Sequence, residues 1–389
     1  MKADPVRSVW LLGCFLVAAA GCSSMNPLDL LRPDTRPKMA PLPELKSTIA
    51  VKTLWQANVG TSGPVILNPA VVAGTGIFAA ARDGTVVRLE AGNGQQKWRI
   101  NAGAQLSGGV GASANLVAVG TSEGEVIGID AANGSVRWRA NVTSEVLASP
   151  VVAGDIVVVR SADSRIFALD AVDGRRRWVY QRAVPALSVR SSAGLAIREN
   201  VAYVGFAGGR LAAIALGNGG MRWEAAVAQP RGSTELERVA DVVGLPWVAE
   251  REVCAVAYQG RVACFDAANG HSLWARNMSS TTGLSADARY LFITDDRGAV
   301  HALDRSNGTS FWKQDRLFLR NLTVPFPLGR QIVAADVEGQ VHFMDRENGT
   351  LIARVATDGS GVAAPIVALN DGILVQTRNG GLYAMSLQQ

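Results

Sequence analysis

Between Ser149 and Trp178 short apolar runs alternate with turn residues. Ser149-Pro150-Val151-Val152-Ala153 reads as a short strand, Ile156 to Arg160 as a β-branched one, and Arg165 to Asp170 as a third. A turn at Asp173-Gly174 then leads into a fourth strand carrying Trp178. Short β-branched runs bounded by Gly, Asn and Asp are the pattern of strands joined by hairpins. The Asp-Gly pair suits φ > 0 and predicts a two-residue hairpin. The Asp four residues before the glycine is placed to accept backbone N–H groups and hold the turn. The Trp predicts burial against a neighbouring unit, with its indole N–H donating to a carbonyl.

This phrase recurs along the chain. Asp130…Gly134…Trp138 is followed by Asp170…Gly174…Trp178, Asp266…Gly270…Trp274 and Asp304…Gly308…Trp312. Weaker copies are Glu90…Gly94…Trp98, Ala215…Gly219…Trp223 and Asp345…Gly349, where Ala353 replaces the Trp. From Trp98 to Trp312 successive motif tryptophans stand 40, 40, 45, 51 and 38 residues apart, one four-stranded propeller blade per interval. The last copy, Gly380 to Ser386, supplies a third strand and no fourth. Thr53-Leu54-Trp55 is the candidate for that missing outer strand, and borrowing it would close the ring and remove its free edges. Seven internal copies and one composite predict an all-β, eight-bladed β-propeller over residues 51–389.

Composition supports a large core. The chain has 389 residues, 48% hydrophobic and 18% charged, enough to bury a sizeable interior. The net charge of +5 is spread along the chain, and no Lys/Arg run offers a nucleic-acid footprint.

The first fifty residues read differently. Lys2 and Arg7 precede an apolar run from Val9 to Ala20, too short for a normal membrane span. It ends in Ala19-Ala20-Gly21-Cys22, which resembles a bacterial lipobox: residues 1–21 read as a signal peptide and Cys22 as the lipidated first residue. Ser23 follows, where an Asp would favour inner-membrane retention, so outer-membrane delivery is expected. Residues 22–50 carry Pro27, Pro33, Pro37, Pro41 and Pro43 without apolar periodicity and read as a semi-extended tether. Cys14 leaves with the signal, so Cys254 and Cys264 remain, either as a cross-strand disulfide or as two buried thiols.

Enzymatic chemistry finds little support. A quinoprotein dehydrogenase needs an acidic base, Ca²⁺ held by oxygen ligands and an aromatic over the quinone, and no such set is evident. Of the three histidines, His271, His301 and His342, the last two stand three before the repeat Asp, where other copies have Val87, Ile127, Phe167 or Tyr383, and read as structural strand residues. HExxH, P-loop and GxSxG motifs are absent from the sequence. No enzyme activity, metal or cofactor is expected.

Two connections break the repeat grammar. The long intervals contain residues 179–191 and 225–245, each running from an outer strand to the next inner strand and so emerging on one face of the ring. Loops on a rigid scaffold are where binding resides. Leu187 and Val189 are candidate apolar anchors, with Arg190 and Asp241 as oriented charges.

The repeat Ala/Leu-x-Asp-x-x-x-Gly-x-x-x-Trp resembles that of pyrroloquinoline-quinone enzymes. With the lipobox, the length and the segments Pro185–Arg190 and Gly232–Val242, residues 51–389 resemble the BamB family of propeller lipoproteins. The resemblance implies a non-catalytic scaffold of the BAM complex, lipid-anchored to the outer membrane and facing the periplasm. It further implies that this face docks the periplasmic repeats of a BamA-like barrel-inserting subunit, with other BAM subunits reached indirectly. Where the family can carry a second Asp after Asp241, this chain has Val243. The alternatives are a quinoprotein or a periplasmic propeller lipoprotein with an unrelated partner.

Overall fold

The middle strands of every repeat are apolar on both faces. Gly76–Ala80 and Leu116–Thr121 are buried at every position, whereas the outer strand Val136–Asn141 buries Trp138 and exposes most of its other side chains. Both faces of a middle strand are buried when flat sheets stack face to face, and an outer strand then keeps one side in water. In the computed structural model, which describes residues 37–388 apart from 184, 186, 190–192 and 371, the sheets stack in this way. The unit Met39–Gln389 is the folded body, and the preceding unit, Met1–Lys38, lies almost wholly outside the described residues. Cys22 and Arg190 also lie outside them.

Eight four-stranded antiparallel sheets make up the body, an eight-bladed β-propeller. Each buried cluster straddles two blades. One joins Leu116, Ala118 and Trp138 of the second blade to Val157, Val159 and Phe167 of the third. Seven others repeat this at the remaining joints.

The repeat phrase is the fastener at these joints. Asp130 accepts the N–H groups of Ala132 and Asn133 at 2.8 and 3.1 Å, and the Gly134 N–H donates to its carbonyl at 2.9 Å. Trp98 of the first blade donates its indole N–H to Ala131 of the second at 3.1 Å. The turn itself differs from the predicted two-residue hairpin. It spans the residues between Asp130 and Val136, and only the glycine takes positive φ, 80° at Gly134. A register shift between Gly128 and Ile129 leaves Arg137 unpaired, and the same shift recurs in the third blade between Ala168 and Leu169. The bulge adds the residue that turns the Trp inward, so the wider turn replaces the tight one.

Ring closure follows the sequence reading. Val51–Asn58 pairs with Gly381–Leu387, placing Trp55 opposite Ala384, and completes the blade begun by Val367–Leu369 and Gly372–Gln376. The stretch just before it departs from a free tether. The Ala40 N–H donates to the Phe318 carbonyl at 2.9 Å and the Thr48 N–H to Ile352 at 2.8 Å. Leu45 and Ile49 pack against buried clusters. Proline content excludes a packed core of its own but leaves the segment able to lie on one that already exists.

Candidate docking face

Antiparallel order puts every outer-to-inner connection at the same end of the ring as the turns between second and third strands. At that end, residues 181–194 lead from Arg176–Tyr180 to Leu195–Arg198. Residues 227–241 lead from Met221–Ala226 to Val242–Val248. Each is too long to be a plain blade connection, and the structure ties them together.

Asp241 makes the tie. Its carboxylate accepts the Val189 N–H at 2.5 Å and the Gly208 N–H at 2.9 Å, and its carbonyl accepts the Tyr258 N–H at 2.8 Å. It is 4% exposed. The sequence reading of Asp241 as a contact charge is therefore corrected: the side chain is turned inward and positions the neighbouring connection. A short acid in a loop with unpaired N–H groups nearby satisfies them in preference to facing water. Val243, where the family can place a second acid, is buried in the cluster between the fifth and sixth blades.

Leu187 and Val189 remain on the surface, 45% and 39% exposed. The second connection adds Leu236, 73% exposed, which sequence reasoning left unmarked among charged neighbours. Its loop is shaped by Glu237, whose carboxylate accepts the N–H groups of Ser233 and Thr234 at 2.7 and 3.1 Å. The Glu237 N–H returns a bond to Thr234 Oγ1 at 3.2 Å, a reciprocal capping arrangement. Those backbone donors hold the Glu237 carboxyl below its ordinary pKa. Val239 and Ala240 anchor the end of the loop in the core.

Beneath these loops lies a cleft of about 200 Å³ lined by Glu145, Leu147, Arg160, Ser188, Val189 and Asp241. Arg160 ends the strand Ile156–Arg160 and donates to the carbonyls of Ala193 at 3.0 Å and Gly205 at 2.7 Å. Its guanidinium lies 5.7 Å from the Phe206 ring centre. Burial lowers its pKa to about 10, and the Asp241 charge opposes that shift. Sequence reasoning missed Arg160, although it was visible: the corresponding position is Ala80, Gly120, Gly205, Val256, Thr294, Ala335 and Gln376 in the other blades, none of them charged.

The remaining candidates lie outside these two connections. Cys254 and Cys264 stand opposite each other on adjacent strands, fully buried and joined by a disulfide. Glu252 beside them is the one acid–cysteine grouping among the described residues, and bonded sulfurs offer it no thiolate for a metal. His301 and His342 each place Nε2 at 2.9 Å from a turn aspartate, Asp295 and Asp336, one blade apart. Desolvation lowers the pKa of buried His342, so the neutral ring is favoured.

The likeness to known proteins is consistent along the chain. The family profile described as outer membrane protein assembly factor BamB matches residues 52–314. The protein of that description from Burkholderia pseudomallei is 39% identical over 365 residues, covering 94% of this chain and 93% of that protein. The one from Bordetella pertussis is 41% identical over 368 residues, covering 94% of each. The crystal structure of BamB from Moraxella catarrhalis superposes with a TM-score of 0.80 at 28% identity, covering 87% of this chain and all (100%) of that one. A quinohemoprotein alcohol dehydrogenase from Comamonas testosteroni gives a TM-score of 0.67 at 13% identity, a likeness of fold alone. Repeat, ring closure and full-length similarity agree: the chain belongs to the BamB family of outer membrane protein assembly factors.

Proposed function

We propose that this protein is a non-catalytic assembly factor at the outer membrane, anchored by lipid on Cys22. Its docking face receives the periplasmic repeats of a BamA-like barrel-inserting subunit. One observation carries the reading: the Asp241 carboxylate bonds the Val189 amide, fusing two connections outside the repeat into one preformed surface. Leu187, Val189 and Leu236 supply apolar contact on that surface. A preordered loop loses less entropy on association than a free one. The blades contribute rigidity and the connections contribute recognition.

Catalysis has no part in this reading. The repeat aspartates are committed to turns, as Asp130 and Asp266 are through their bonds to following N–H groups. The test is co-purification of the anchored full chain with the barrel-inserting subunit, before and after truncation of Leu187 and Val189. Retention of the partner by a folded double variant would reject this face as the docking site.

A further inference from the structure

Seven of the eight joints share one fastening, an indole of one blade lying against the motif glycine of the next. It runs from Trp55 on Gly94 round to Trp312 on Gly349. The joint between the seventh and the closing blade has neither half. Ala353 stands in the Trp position and is buried. The closing blade takes its outer strand from Val51–Asn58, so no turn bearing a motif glycine joins its last two strands.

The incoming chain occupies that joint. The Gln388 N–H donates to the Ala50 carbonyl at 2.9 Å, and Thr48 is bonded to Ile352 beside Ala353. Ile49 and Val51 pack into the cluster that contains Ala353, Phe343 and Met385. Further back, Arg354 donates to the Pro43 carbonyl at 3.1 Å, and Leu45 packs on the cluster between the sixth and seventh blades.

The far end is held by Arg320. This guanidinium is 1% exposed and donates through Nε to Asp336 at 2.6 Å, through Nη2 to Glu338, and through Nη1 to the Ala40 carbonyl at 3.0 Å. Leu319 and Asn321 on either side take φ of 57° and 47°, a left-handed turn that aims the side chain inward. A buried cation is costly unless its donors are matched, and the segment's own carbonyl completes the match.

We infer that residues 39–50 form a strap that replaces the missing Trp–Gly fastening and makes the start of the chain part of ring closure. If the chain is anchored at Cys22, as proposed above, the strap leaves a stretch of residues 23–38 between the anchor and the ring. The reach of that stretch is then at most about 50 Å, against about 90 Å for a tether running to residue 50.

Ala353→Trp in the full chain, with and without deletion of residues 39–50, which removes Ile49 from the cluster containing Ala353, tests the strap. The deletion should lower the melting temperature by more than about 3 °C. Ala353→Trp should lower the melting temperature with the strap present, where the space is filled, and should raise or spare it in the deletion. An unchanged melting temperature on deletion, or equal Trp shifts in both backgrounds, would overturn the inference. If the deletion does not fold, hydrogen exchange of the intact chain decides: slow exchange at the Ala40 and Thr48 amides, lost in Leu45→Asp, supports the strap. Free exchange at both amides in the unmodified chain rejects it.

Discussion

Gly174 lies against the Trp138 ring so closely that a Cβ on the glycine would sit 2.6 Å from it. The same indole donates to Ala171, three residues before that glycine, at 3.0 Å. The two residues belong to adjacent blades, so the spacing of the motif records a contact between repeats as well as a turn within one.

Two glycines separate these effects. Gly154 has φ of 63° but open space around its missing Cβ, whereas Gly174 has φ of 74° and the ring. Gly154→Ala should cost about 1 kcal/mol of backbone strain. Gly174→Ala should cost clearly more, and Trp138→Ala about 3–5 kcal/mol. Denaturant melts of the three variants check this. Equal losses for the two glycines would mean that the ring contact contributes nothing.

The repeat made the fold legible because seven of the eight joints use the same residues, and the composite blade followed from one copy lacking its fourth strand. Other features carried no periodic signal. Asp241 reads as a surface charge in a polar loop, and only the positions of the Val189 and Gly208 amides turn it inward. Residues 40–49 read as tether because their docking surface, Arg320 and Ile352, lies hundreds of positions away in sequence. Ala353 signalled a joint built differently without indicating what fills it.

Acid should weaken the ring through His342. Burial depresses its pKa below the ordinary 6.5, so below that value the unfolded chain takes up a proton that the folded chain refuses. Stability therefore falls as pH drops from about 7 toward 5. Asp336 is held below its ordinary 3.8, despite desolvation, by His342, the Gln340 N–H and Arg320; its stabilising contribution is lost only at more acid pH. Melting temperature against pH, measured beside His342→Gln, gives the check. An identical slope between pH 7 and 5 in both proteins would assign the loss to other groups.

The anchor has its own test. Cys22→Ala should yield a folded propeller that no longer labels with palmitate and leaves the membrane fraction. Continued labelling of the variant would place the lipid on another residue.

Docking should separate contact from positioning. Leu187 and Val189 are exposed and Asp241 is not, so their losses should differ in kind. Truncating Leu187 and Val189 together to Ala should weaken partner binding by about 2 kcal/mol, roughly thirtyfold, and leave the melting temperature unchanged. Arg190→Ala should behave in the same way if its charge is buried at the contact. Asp241→Ala leaves the Val189 and Gly208 amides without their acceptor, at a cost of about 1–3 kcal/mol each where water cannot reach them. It should therefore lower stability, speed hydrogen exchange at both amides and weaken binding together. Asp241→Asn retains one carbonyl acceptor and should fall between. Binding that survives faster exchange at Val189 would show that the partner does not need this loop preordered. Binding lost in Asp241→Ala with exchange and melting unchanged would return Asp241 to the contact surface.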